Sequence, residues 1–294
     1  MTGRGVKIGA YPIPALSANY QVSRNTIAED SFGIATQGTI NAGSYTTSGT
    51  IAAAYRPAAL AAINNMVMGG TNTINTTGAY SYTTVDMEDD YSHVTSFASC
   101  VINSLELALA TEDYARITYN FTGTKKATSP GTIAAASYTE ELAIFYNAKL
   151  TIDSGGGATT VYAKSLTLRI ERPLTPDYII GSEYALNLNQ SGNLTVGGTL
   201  GLAASEYSLL LNALTTADEA KSQPNETNEN SLGGGELIIE LRRPDGTAYQ
   251  TITVTSIKVN TGSQSGEGRQ VMTKSVDFMA EVNANSNVTF SAVS

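Results

Sequence analysis

The chain carries one pattern twice, and a duplication of this length limits the fold more than any single residue does. Ser17-Ala18-Asn19-Tyr20-Gln21-Val22-Ser23-Arg24 aligns without a gap on Ser165-Leu166-Thr167-Leu168-Arg169-Ile170-Glu171-Arg172, about 148 residues further on, and Gly33 falls on Gly181 at the same offset. One inserted residue later, Gly49-Thr50-Ile51 answers Gly198-Thr199-Leu200. A short apolar run with helical spacing follows each time, first over 57–68 and then over 203–214. Two units of this size are too few and too long for a solenoid, so the reading is two tandem domains of one fold, 1–135 and 136–294. With 294 residues in all, each has enough chain to bury its own core.

Charge narrows the class of partner. Lys plus Arg number 17 against 26 Asp plus Glu, a formal net charge of -9. Such a chain does not coat nucleic acid or an anionic membrane without a local basic patch, and the pair Lys125-Lys126 is too small to be one. No apolar run reaches the length of a membrane span, and the opening residues lack the apolar core of a signal peptide, so synthesis in the cytosol is expected. The single Cys forbids an internal disulfide.

Only 15% of residues are charged, Trp is absent and Gly reaches 27, which with abundant Thr, Ser and Asn suits an all-β chain with many turns. Period-two alternation marks the strands. Across 113–121, Ile117, Tyr119 and Phe121 fall on one face while Arg116, Thr118 and Asn120 fall on the other. The stretches 99–109, 145–152, 161–170, 236–242, 251–259 and 271–282 read as strands too, with Gly155-Gly156-Gly157 and Arg243-Pro244-Asp245-Gly246 as turns. Leu60, Ile63 and Val67 share a face of the first helix; Tyr207, Leu210, Leu211 and Leu214 share a face of the second. Gly69-Gly70 can end the first helix as a C-cap. Alternation stops around Ser129-Pro130-Gly131, so 125–137 reads as the linker, and 70–90 and 215–235 read as long exposed loops.

Catalytic signals are sparse. His93 is the only histidine, so a zinc site or a nucleophile-histidine-acid triad would rest on one residue; near a strand start it reads as a solvated or hydrogen-bonded group. Cys100, beside Val101 and Ile102, reads as a buried apolar residue and not as a thiolate. Asp86-Met87-Glu88-Asp89-Asp90 lacks the spaced ligands and turn glycine of a calcium loop and reads as solvated charge. Glu112-Asp113 and Glu140-Glu141 are sequence neighbours, which a strand turns to opposite faces, so neither pair serves as acid and base across a cleft. Gly123-Thr124-Lys125 has no glycine run ahead of its lysine, unlike a phosphate loop. The expectation is a protein that builds rather than transforms, with no catalytic, metal or cofactor site.

The order of elements carries a resemblance. A hairpin leads into Leu166-Thr167-Leu168-Arg169-Ile170-Glu171-Arg172, then Gly181, then Gly197-Gly198-Thr199-Leu200-Gly201-Leu202 and the helix. Glu236-Leu237-Ile238-Ile239-Glu240-Leu241, Ile252-Thr253-Val254-Thr255-Ser256-Ile257 and a last strand over 272–282 follow. This plan, which the first copy shares, resembles the tail tube proteins of long-tailed bacteriophages. The resemblance implies a mainly β chain of two tandem β-sandwich or partly closed barrel domains, each flanked by one α-helix. It implies a virion tail protein, made in the host cytoplasm, whose rings stack into a hollow tube for DNA. Relatives with one domain close six-membered rings, so this chain would close one with three copies, six being the alternative. Its partners would be itself, other tail proteins and DNA in passage without specific binding, with no membrane. An acidic lining would repel phosphates, which makes Glu106, Asp277 and Glu281 candidates to face the channel. The loops and residues 1–14 are candidates for contacts between rings. The duplication and the 215–235 loop depart from the single-domain plan. Other readings are a tail adaptor or terminator of the same fold, a β-sandwich binding module or adhesin, and an enzyme whose carboxylates converge only in three dimensions. The absence of Trp and of a signal peptide, with the single Cys, weighs against the adhesin.

Overall fold

A computed structural model describes residues 5–28, 40–76, 80–89, 91–134, 142–153, 158–203, 235–243, 247–265, 273–284 and 287–291. In the first half, a short hairpin of β1 (Val6–Ile8) and β2 (Tyr11–Ile13) precedes two long strands, β3 (Ala15–Ala28) and β4 (Ile40–Ala54), and the helix α1 (Pro57–Met68). Strands β5 (Thr83–Glu88), β6 (His93–Ala110), β7 (Arg116–Gly123) and β8 (Lys125–Pro130) complete it. Their lateral order is β2-β1-β5-β6-β7-β4-β3, every pair antiparallel, with β8 on the other side of the first part of β6.

The second half repeats that plan strand for strand. It contains β9 (Ala148–Asp153), β10 (Ala158–Val161), β11 (Ala163–Glu171), β12 (Leu174–Asp177), β13 (Asn187–Gln190) and β14 (Thr195–Ala203). Then come β15 (Gly235–Arg242), β16 (Ala248–Ser265), β17 (Thr273–Ala280) and β18 (Val288–Phe290). The order β10-β9-β15-β16-β17-β14-β11, with β18 flanking β16, mirrors the first half, and β12 pairs with β13 as an inserted two-stranded sheet.

The repeat holds at the level of register. Gly49 stands between Tyr20 and Phe121, and Gly198 between Leu168 and Phe278. A methyl group on Gly49 would meet the Asn19 carbonyl oxygen and the Phe121 ring at 2.5 Å; on Gly198 it would run into the Thr167 carbonyl oxygen and the Phe278 ring. The recurring glycine thus makes room for an aromatic ring and a close strand.

The long strands β6 and β16 each serve two sheets. The first part of β6 pairs with β5 and β8, the second with β7; β16 does the same with β15, β18 and β17. Where the change occurs, a bulge sets two residues against one, and Ser99 and Ser256 take positive φ (51° and 57°). Such a bulge lets a strand turn a sandwich corner. The halves join where β11 pairs with β6, from Ser165↔Ala110 to Glu171↔Ser104, which yields one 16-stranded sheet.

Helix α1 starts with Pro57 in its first turn and ends at Gly69 in the left-handed region (φ 104°), where the Gly70 amide donates to Asn65 O. Leu60, Ile63 and Val67 are buried. Their counterparts Leu210, Leu211 and Leu214, with Tyr207, lie outside the described residues, as do Glu140-Glu141, the Gly155-Gly156-Gly157 turn and residues 215–234. Ala203, expected to open the second helix, instead closes β14.

Four other expectations are corrected. Residues 125–130 are a strand, not a linker: β8 is exposed on both faces, so it shows no apolar alternation, and only backbone pairing with β6 reveals it. Residues 83–88, within the expected loop 70–90, are β5, with Val85 and Met87 buried around Asp86. Residues 145–147 form a single 3-10 turn, and Tyr162 separates β10 from β11, where one strand was expected. Among the described residues, no helix is long and apolar enough to cross a membrane.

Candidate functional site

Strands β3, β4, β7, β6, β11, β14, β17 and β16 lie side by side as a continuous eight-stranded sheet that runs through both halves. Because strand side chains alternate, one face can be dry and the other wet. The dry face holds Ile51, Leu105, Ile117, Leu168, Leu200 and Val276, all buried. The other face is mainly polar, with Met279 exposed on it. One row across it reads Asn19, Thr50, Asn120, Ser104, Glu171 and Thr195. Within it Thr50 Oγ1 donates to Asn120 Oδ1 and Asn120 Nδ2 to Ser104 Oγ, both at 2.7 Å.

Charges on this face meet partners. Arg169 pairs with Glu171 at 2.9 Å, and Asp277 accepts from Thr199 Oγ1 at 2.8 Å. Glu106 stands opposite Arg169 in register. Glu281, just past β17, bonds Lys258 of β16 at 2.9 Å, and that ammonium holds its carboxyl below the usual carboxylate range. The two strand candidates for channel-facing acids, Glu106 and Asp277, therefore share the polar face, although 171 residues separate them in sequence.

Other singled-out residues are structural. Cys100 is fully buried, and burial pushes its thiol up to about 12. His93 opens β6 with its Nδ1 3.8 Å from Asp89 Oδ1. The acids at 86, 88 and 89 go to separate partners: Asp86 meets Lys7 at 3.2 Å, while Glu88 accepts the Ile133 amide and Asp89 those of Tyr91 and His93. No cluster of three or more potential metal ligands occurs among the described residues. Asp113 pairs with Arg116 at 2.9 Å.

The junction between the halves holds groups that pattern reading missed. Tyr119 Oη donates to Asn64 Oδ1 (2.6 Å), Asn64 Nδ2 to Tyr55 Oη (3.1 Å), Tyr55 Oη to Gln250 Oε1 (2.5 Å), and Gln250 Nε2 to Ser291 O (3.3 Å). This buried relay links α1 and β7 of the first half to β16 of the second. Arg172, one of the two repeated arginines, is also buried there. Its amide donates to Asn103 O, Nη1 to Gln190 Oε1 (2.9 Å) and Nη2 to Asn75 O (3.3 Å). Its counterpart Arg24 is exposed and pairs with Glu183. The shared offset of the two arginines was the one sequence signal that marked this position.

No curated protein matches the chain. A family model described as phage tail tube protein matches residues 6–280, nearly the whole chain. On that match the chain, mainly β in structure, belongs to the phage tail tube protein family, structural components of the virion tail.

Proposed function

We propose that three copies of this chain close a ring, that rings stack into the tail tube, and that the polar sheet face lines the channel through which DNA passes. The two halves, 1–135 and 136–294, then act as two copies of one domain and supply six similar units around the axis. The observation that carries this reading is the eight-stranded sheet itself, apolar on one face, polar on the other, and ending in unlike strands, β3 and β16. A head-to-tail contact between unlike edges closes a ring when its rotation divides the circle.

Dimensions fit a DNA conduit. Three such sheets make a barrel of about 24 strands, and with a spacing of about 4.8 Å and a tilt of about 35–45° its backbone is about 45–50 Å across, wider than a DNA duplex. A lining of Ser, Thr and Asn with carboxylates such as Glu106 and Asp277 offers few free cations to phosphates, so the duplex slides without being held. Loops outside the sheet and the first residues contact the next ring, and other tail proteins meet the ends.

Electron microscopy with native mass measurement of the purified protein tests this. Hollow rods built from three-chain rings are expected. A six-chain ring overturns the count, and a solved tube with a net basic channel overturns the assignment of the lining.

A further inference from the structure

The duplication assigns each strand a counterpart, and two counterparts are treated differently. In β11, Leu166, Leu168 and Ile170 are buried, at 1%, 0% and 0% exposure, because β6 covers its outer edge. The matching positions of β3 are Ala18, Tyr20 and Val22, and here Tyr20 and Val22 stand 42% and 36% exposed beside Leu16 at 51%. Among the described residues β3 pairs only with β4. The counterpart of β6 is β16, whose last residues, 261–265, pair only with β17 among the described residues. Tyr20 packs against the Phe97 ring with their centroids 4.9 Å apart and meets Lys126, but a strand edge without a neighbouring strand is still a template for one.

A cleft beside β3 tells the same story. It measures ≈ 570 Å³, with Val6, Ala15 and Ala18 among its walls. Its counterpart in the second half, walled by Leu150, Ala163 and Leu166, measures ≈ 250 Å³, and there Leu109 of the first half is one of the walls.

We propose that β3 of each copy pairs antiparallel with residues 261–265 of β16 of the next, in the register that β11 and β6 use inside one chain. This rests on the ring reading above and gives it an address. Both β6 and β16 carry a one-residue bulge, at Asn103 and at Asn260, where their registers with β7 and β17 shift. Counting from these bulges, Ser104, Glu106 and Ala108 correspond to Thr261, Ser263 and Ser265. The intrachain pairs Glu171↔Ser104, Arg169↔Glu106 and Thr167↔Ala108 therefore become Ser23 opposite Thr261, Gln21 opposite Ser263 and Asn19 opposite Ser265. Inside the chain the Arg172 amide donates to Asn103 O and the Thr111 amide to Lys164 O. Those bonds place Arg169↔Glu106 at a non-hydrogen-bonded position, so Gln21 and Ser263 take one too. Cα atoms at such positions lie about 4.5 Å apart, within the span a disulfide bridges. Arg24 follows its counterpart: its amide meets the Asn260 carbonyl of the next copy.

Paired cysteines test the register. Under mild oxidation, assembled Gln21→Cys/Ser263→Cys shifts from one-chain to three-chain mass on denaturing gels, and neither single variant does. Glu106→Cys/Arg169→Cys closes within one chain, as the internal reference. Gln21→Cys/Gln264→Cys is one residue out of step, on opposite faces of the pleat, and stays unlinked. If the first pair fails to assemble, Ser23→Cys/Thr261→Cys reads the same register. Rods that form without linking either matched pair, or that link the out-of-step pair, overturn the register and leave the tube standing. Failure of the unaltered chain to form rings overturns the tube reading, and this pairing with it.

Discussion

Replacing Asn64 by Leu removes the centre of the buried relay while keeping its branched outline, so the polar cost is read without a cavity. Asn64 is 1% exposed and accepts from Tyr119 at 2.6 Å while donating to Tyr55 at 3.1 Å. Losing each bond costs about 1 kcal/mol net, and the Tyr119 hydroxyl, left buried without an acceptor, adds about 1–3 kcal/mol. The Tyr55 hydroxyl keeps its acceptor on Gln250, so the total comes to about 3–5 kcal/mol. Denaturant unfolding followed by far-ultraviolet circular dichroism measures it, since the chain has no Trp to report by fluorescence. Adding Tyr119→Phe should recover about 1–2 kcal/mol, because the orphaned donor disappears. If the two substitutions simply add, within about 0.5 kcal/mol, the Tyr119 hydroxyl does not depend on Asn64 and the reasoning fails.

Gly198→Ala forces β14 away from the Thr167 carbonyl and the Phe278 ring, so a loss of about 1–3 kcal/mol is expected; an unchanged melting midpoint would refute the close approach. Burial holds the Cys100 thiol up at about 12 and keeps the Tyr119 hydroxyl well above its ordinary range, so both ionise more readily in the unfolded chain. Their stabilising share is intact below about pH 8.5 and is lost as pH rises through 9 towards 12; stability that climbs across that window would contradict it. While folded, Cys100 should also resist thiol reagents, and rapid labelling would show it is not enclosed. Leu60→Asp buries an unpaired carboxylate on the inner face of α1 and should abolish soluble rings; normal rings would refute that packing.

By itself, the sequence determined the features that side chains report. Inner strands such as β7 and β15 bury alternate residues, so period two was legible in Ile117, Tyr119 and Phe121. The recurring Gly-Thr-apolar triplet was legible as well, and Gly49 and Gly198 each lie beside an aromatic ring of the next strand, Phe121 and Phe278. Helix α1 announced itself through Pro57, its apolar face and Gly69. Backbone pairing leaves no such mark. Strand β8 buries no residue fully and resembled a linker, and Ser99 and Ser256 gave no hint that they turn a strand from one sheet to the other. Only the tertiary structure put Glu106 and Asp277 on one polar face, carried hydrogen bonds from Tyr119 to Gln250, and left Tyr20 and Val22 part-exposed where Leu168 and Ile170 are buried. These facts depend on which strand lies beside which, a long-range choice made by the core as a whole, whereas periodicity records only how each residue alternates with its neighbours.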